Sequence, residues 1–107
     1  MIDWKRIDEL RSQVGPDDLP GLLAEFMTEM EQGLAELSLD EPAPKIAANL
    51  HFLRGSALNI GLRQLAALCQ NYEDAANRGN PPTGAPERLR ASYRTAKSAL
   101  LQGYATR

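Results

Sequence analysis

Residues 51–73 read HFLRGSALNIGLRQLAALCQNYE, and this stretch contains two helical patterns separated by one glycine. Apolar residues recur at three- and four-residue steps up to Ile60 and again from Leu62 onward, which is the spacing of one buried face of an α-helix. Gly61 stands between the two stripes, where glycine commonly ends a helix. The stretch therefore predicts the end of one helix followed directly by the start of another.

Working outward, the rest of the chain shows the same helical spacing, interrupted by turn-rich segments such as DEPAP (40–44) and NRGNPPTG (77–84). No segment alternates apolar and polar residues as a half-buried strand does. We therefore expect an all-α fold, an antiparallel up-down-up-down four-helix bundle with an additional short N-terminal capping helix, in a single domain of residues 1–107. The expected helices are 3–14 for the cap and 18–39, 44–60, 62–78 and 85–103 for the bundle.

Composition and charge exclude several classes of function. The net charge of the chain is −2, and its acidic and basic residues are interspersed along the sequence. Neither a nucleic acid nor an anionic membrane surface is therefore an expected partner. No apolar run is long enough for a membrane span or a signal peptide. Cys69 is the only cysteine, which excludes an internal disulfide, and we expect it to be a small buried apolar residue. The default expectation is a cytoplasmic monomer.

The only histidine of the chain, His51, lies on the predicted third helix. The apolar stripe through Leu50 and Leu53 places His51 about 100° from Leu50, at the edge of the buried face, so its imidazole is expected to reach solvent. Gly55 follows one turn later, where a side chain would lean over the imidazole. Glycine inside a helix costs about 1 kcal/mol relative to alanine. We interpret Gly55 as opening access to His51, although an internal glycine also permits close helix packing.

Arg54 and Ser56 flank Gly55 on the same predicted helix. Arg54 is three residues after His51, so its guanidinium can lie beside a group attached to the ring, and a phosphoryl group matches its planar donors. Its charge is also expected to disfavour the imidazolium and to keep the ring neutral and nucleophilic. Ser56 either hydrogen-bonds back to the Phe52 carbonyl or faces solvent, and the sequence leaves both open.

The segment of residues 51–73 resembles the signature of histidine-containing phosphotransfer domains, the small helical bundles of multistep phosphorelays. The family pattern has a histidine, a basic residue three later, glycine four later, a small residue, a second glycine, and then leucine, cysteine and acidic or amide positions. The corresponding residues here are His51, Arg54, Gly55, Ser56, Gly61, Leu65, Cys69 and Glu73. The spacing needs no gap, and the order of the helices agrees more loosely over the rest of the chain.

The resemblance implies a role for each matched site residue. His51 would accept a phosphoryl group on its outer ring nitrogen, Arg54 would steady the phosphoryl oxygens, and Gly55 would give the partner room. Glu73, on the next helix, would hydrogen-bond the other ring nitrogen and so fix the tautomer. It would also raise the basicity of the ring against the opposite effect of Arg54, and the balance between the two stays open.

The resemblance also implies the partners and what they must supply. Phosphoryl transfer to or from an aspartate needs a divalent metal, and the chain has no glycine-rich phosphate loop and no evident carboxylate cluster for Mg²⁺. The Mg²⁺ and the aspartate would come from receiver domains of hybrid histidine kinases and response regulators. The protein would then be a free-standing phosphocarrier without ATP-dependent kinase activity. Ala47 and Leu58 are candidates for the docking contact, or equally residues at the edge of the core.

Two other functions are alternatives to the phosphocarrier. In the first, the chain is a plain helical interaction module and His51 is incidental. The second is a metal or di-iron bundle, which would need Glu-x-x-His pairs on facing helices. Residue 48, three before the sole histidine, is alanine, so the sequence lacks the pattern that the metal hypothesis needs.

Overall fold

The structure is a computed structural model that describes residues 1–80 and 82–107. Within these residues the chain forms five helices and no extended strand, which confirms the all-helical prediction. Pro81, part of the predicted connection at 77–84, lies outside the described residues. The helices are α1 (Trp4–Val14), α2 (Leu19–Glu36), α3 (Ala43–Asn59), α4 (Arg63–Asn77) and α5 (Ala85–Ala105).

The apolar stripes of all five helices contribute to one core. α3 packs most extensively against α4, while α2 contacts α3 and α5, and α4 contacts α5. Burial of these stripes is the main stabilising contribution, because removing apolar surface from water is the dominant favourable effect in folding. The largest fully buried side chains are Ile7, Leu19, Met30, Ile46, Leu50, Leu53, Ile60, Leu62, Leu65, Leu89, Leu100 and Cys69. In the described part of the chain, no helix is both long and apolar enough to cross a membrane.

Two helix ends differ by more than one residue from the sequence-based expectation, and tertiary contacts explain both. α2 ends at Glu36 rather than at 39, because Leu37 adopts an extended backbone and the Arg90 guanidinium of α5 donates to the Leu34 carbonyl at 2.8 and 3.0 Å. α5 continues through Gly103 to Ala105, because the missing side chain of Gly103 makes room for the Trp4 ring of α1.

The corner between α3 and α4 is held by the segment that begins the chain. The amide of Asp3 donates to the Gly61 carbonyl at 2.8 Å, and Arg6 Nε donates to the Asn59 carbonyl at 3.0 Å. Gly61 has φ +73°, and a Cβ there would lie 2.8 Å from the Asp3 carbonyl oxygen. Only glycine meets both requirements without strain. This corner sets the register between the two helices that carry the site described next.

Candidate functional site

His51 lies on the exposed side of α3, at the edge of its buried stripe. The side chain is 60% exposed, whereas Leu50 and Leu53 on either side of it are buried. The expectation that the imidazole reaches solvent is therefore confirmed. Both close polar contacts of the ring are made to Nδ1, the inner nitrogen.

The first contact of Nδ1 comes from α4. The Glu73 carboxylate oxygen Oε2 lies 3.1 Å from Nδ1, and the Glu73 side chain is only 14% exposed. The extensive packing of α3 on α4 holds this carboxylate against the ring. A carboxylate in this position can accept a hydrogen bond from a protonated Nδ1. In that tautomer the in-plane lone pair of the neutral ring is on Nε2.

The second contact of Nδ1 comes from Arg54, one turn further along α3. Arg54 Nη2 lies 3.1 Å from Nδ1, and Arg54 Nε lies 3.7 Å from Glu73 Oε1. The expectation from sequence was a guanidinium beside the group carried by the outer nitrogen. In the structure the guanidinium lies at the inner nitrogen instead, because the negative charge of Glu73 attracts it there. The three side chains thus form one cluster.

Gly55 leaves open space beside His51. A Cβ at this position would meet no atom within 4 Å, in contrast to Gly33 of α2, where it would lie 2.9 Å from Leu53 Cδ2. Packing within the chain therefore explains Gly33 but does not explain Gly55. The interpretation that Gly55 only permits close helix packing is wrong.

Ser56, the next residue, is buried, so the alternative in which it faces solvent is wrong. Its side chain is turned into the helix packing, on the side of α3 away from the exposed imidazole. The sequence could not decide this point, because Ser56 stands one position before the apolar residue Ala57 and a small polar side chain is tolerated on either side of that boundary.

The two candidate docking residues differ in their exposure to solvent. Ala47 is buried and belongs to the edge of the core, whereas Leu58 is 47% exposed. Phe52, directly after His51, is 54% exposed and was not selected from the sequence. Its position off the stripe of Leu50 and Leu53 was the available signal, because that position places a large aromatic side chain outside the buried face of the helix and next to His51.

The floor of the site is apolar. Cys69 of α4 is fully buried. Its burial, together with the charge of Glu73 and against the smaller opposing effect of Arg54, raises the pKa of its thiol to about 12. The thiol is therefore uncharged at neutral pH and inert as a nucleophile. Among the residues at 1–80 and 82–107, no group of three or more His, Cys, Asp or Glu side chains is placed to hold a metal ion.

Comparison with known protein families identifies a match that covers most of the chain. A family model described as "Hpt domain" matches residues 21–104, a range that includes α3, α4 and every member of the His51 cluster. The comparison with curated proteins found no match. The comparison with solved structures found none either.

Proposed function

Because the chain belongs to the histidine-containing phosphotransfer (Hpt) domain family, whose members carry phosphoryl groups in phosphorelays, we propose that His51 is its phosphoryl-accepting residue. The observation that carries this proposal is an imidazole that is 60% exposed, with a carboxylate 3.1 Å from its inner nitrogen. The outer nitrogen is then the atom available for attack. The protein would shuttle a phosphoryl group between His51 and the aspartates of receiver domains.

The transfer step follows from the arrangement around the ring. The Nε2 lone pair attacks the phosphorus of an aspartyl phosphate, an Nε2–P bond forms, and the P–O bond to the aspartate breaks with its electron pair on the carboxylate. Nδ1 keeps its proton, so the phosphorylated ring carries a positive charge, which Glu73 balances at hydrogen-bond distance. The reverse step passes the phosphoryl group to the next receiver.

The partner supplies the remaining components. Mg²⁺ would be bound by the receiver domain, where it neutralises charge on the transferring phosphoryl group. The open space at Gly55 lets that domain approach the ring, and the exposed Leu58 and Phe52 offer apolar contact area on either side of it. In this proposal the chain has no ATP-dependent kinase activity of its own, and it is a cytoplasmic monomer.

The helix arrangement proposed for this carrier is the antiparallel up-down-up-down bundle capped by α1. The contacts between successive helices α2 to α5, together with the closing contact between α2 and α5, support it. Short connections between long helices also favour antiparallel neighbours. In this arrangement Ala47 contributes to the packing of α3 rather than to docking.

The first experiment measures phosphorylation directly. The purified protein is mixed with an Mg²⁺-loaded, phosphorylated receiver domain, and its intact mass is followed for the wild type and for His51→Gln. We expect one added phosphoryl group in the wild type only, lost in acid and stable in base. Should several unrelated receivers and a small phosphoramidate all leave the wild type unmodified, the interaction-module hypothesis becomes the better account.

A further inference from the structure

The inner nitrogen of His51 is contacted by two groups that require opposite protonation states. Arg54 Nη2 and Glu73 Oε2 each lie 3.1 Å from Nδ1. A nitrogen of a neutral imidazole is either a donor or an acceptor, never both. Arg54 can only donate and a Glu73 carboxylate can only accept. The two contacts are therefore mutually exclusive as hydrogen bonds to a neutral ring.

Each contact specifies a different tautomer, and only one tautomer is reactive. When Nδ1 carries the proton and donates to Glu73, Nε2 keeps its in-plane lone pair and can attack phosphorus. When Nδ1 accepts a hydrogen bond from Arg54, the proton is on Nε2, and the outer nitrogen has no lone pair to offer. The position of the Arg54 guanidinium thus decides whether His51 is a nucleophile.

The rest of the cluster is also incompletely hydrogen-bonded. Arg54 Nε and Glu73 Oε1 are buried atoms without a hydrogen-bond partner, and the 3.7 Å between them is too long for a hydrogen bond. Buried polar atoms are normally paired, so two orphans beside a contested nitrogen indicate a second arrangement of the same groups.

We propose that Arg54 competes with Glu73 for Nδ1 and, in the unphosphorylated protein, holds part of the His51 population in the unreactive tautomer with the proton on Nε2. A phosphoryl group arriving at Nε2 attracts the guanidinium away from Nδ1, because its oxygens are better acceptors for a charged fork of donors. The ring proton then exchanges through solvent from Nε2 to Nδ1, which donates it in a hydrogen bond to the Glu73 carboxylate, and Nε2 regains the lone pair that attacks phosphorus. The link to phosphorylation rests on the proposed function, whereas the competition at Nδ1 does not.

The tautomer can be observed directly, because His51 is the only histidine of the chain. Long-range ¹H–¹⁵N correlation spectra of the ¹⁵N-labelled protein, recorded at a pH where the ring is neutral, distinguish the two tautomers. We expect Arg54→Met to shift the ratio about tenfold toward the proton on Nδ1, since one charge-assisted hydrogen bond is removed. Glu73→Ala should shift the ratio in the opposite direction.

A control and a second readout make the test decisive. Arg63→Met removes an arginine that is 68% exposed at the start of α4 and should leave the ratio unchanged. Thermal melts confirm that each variant is folded. A wild type with the proton only on Nδ1, or a ratio that Arg54→Met does not move, overturns the competition. A ratio that shifts as expected in a protein that no receiver phosphorylates leaves the competition intact and refutes the carrier function.

Discussion

At the scale of single residues, Gly55 gives the sharpest expectation. In Gly55→Ala the added Cβ has open space, so the free energy of unfolding should rise by about 0.5–1 kcal/mol, the usual gain from replacing glycine within a helix. In the proposed function, the same methyl group would stand where a receiver domain approaches His51. Transfer from a phosphorylated receiver should therefore slow about tenfold, a loss of the size that overpacking causes in a tight contact. Urea unfolding and transfer kinetics measure the two effects.

The control for Gly55 is Gly21, a helical glycine of α2 whose Cβ would also meet no atom within 4 Å. Gly21→Ala should leave transfer to His51 unchanged. Phosphorylation by a small phosphoramidate should slow far less than transfer from a receiver in Gly55→Ala. Equal slowing with both donors would contradict the interpretation that Gly55 serves partner access.

The members of the His51 cluster could be selected from sequence, but their geometry could not. Helical spacing was enough to predict an exposed His51 with Arg54 and Gly55 on the adjoining surface. Glu73 followed only from the family resemblance, because no local pattern connects α4 to a particular ring atom. The direction of the Arg54 guanidinium depends on the charge of Glu73 on another helix. Spacing within one helix carries no information about such an attraction.

At the scale of helices, Gly61 determines the corner between α3 and α4. Gly61→Ala should lower the free energy of unfolding by about 2–3 kcal/mol, because a left-handed residue with a Cβ costs about 1–2 kcal/mol and the Cβ also overlaps the Asp3 carbonyl. Gly79→Ala is the matched control, with φ +78° and no atom within 4 Å of the added carbon. It should lose about 1–2 kcal/mol, from the backbone effect alone. Equal losses in urea unfolding would rule out the overlap with Asp3.

Some helix ends are determined by neighbouring residues in the sequence and others by contacts with a distant helix, and only the first kind could be predicted. The start of α1 was predictable from local sequence, because Asp3 is a favoured N-cap residue, and its carboxylate accepts a hydrogen bond from the Arg6 amide in the structure. The end of α2 could not be predicted in this way, because it depends on the Arg90 guanidinium of α5 donating to the Leu34 carbonyl. Apolar periodicity continues past Glu36 in the sequence, so the prediction extended α2 too far.

At the scale of the whole molecule, α2 and α5 are joined by a charged contact that responds to pH. Glu31 accepts hydrogen bonds from Lys97 at 2.7 Å and from the Tyr93 hydroxyl, and these bonds lower the pKa of Glu31 below its usual 4.5. A carboxyl whose folded pKa is lowered stabilises the fold above its unfolded pKa. That contribution is lost as the pH falls through the folded pKa. The wild type should therefore lose stability below pH 4.5.

Replacing Glu31 tests this dependence. Glu31→Gln should be less stable than the wild type at neutral pH. Its urea midpoint should also fall less between neutral pH and about pH 3, because the glutamine has no carboxylate whose protonation below the usual pKa of 4.5 would weaken the contact. Glu29→Gln, at an exposed position on the same helix, should keep the wild-type slope. An identical acid profile for Glu31→Gln and the wild type would show that other carboxyl groups govern the acid transition.

The buried thiol of Cys69 provides a built-in probe of local opening in the folded protein. It is the only sulfhydryl group of the chain, it is fully buried, and it lies close enough to Glu73 and Arg54 to feel both charges. A thiol-labelling reagent can reach Cys69 only when α3 and α4 separate locally. The labelling rate under native conditions therefore reports how often this interface opens. A receiver or a phosphoryl group that tightens the His51 cluster would appear as slower labelling, without any probe being attached to the surface that the partner covers.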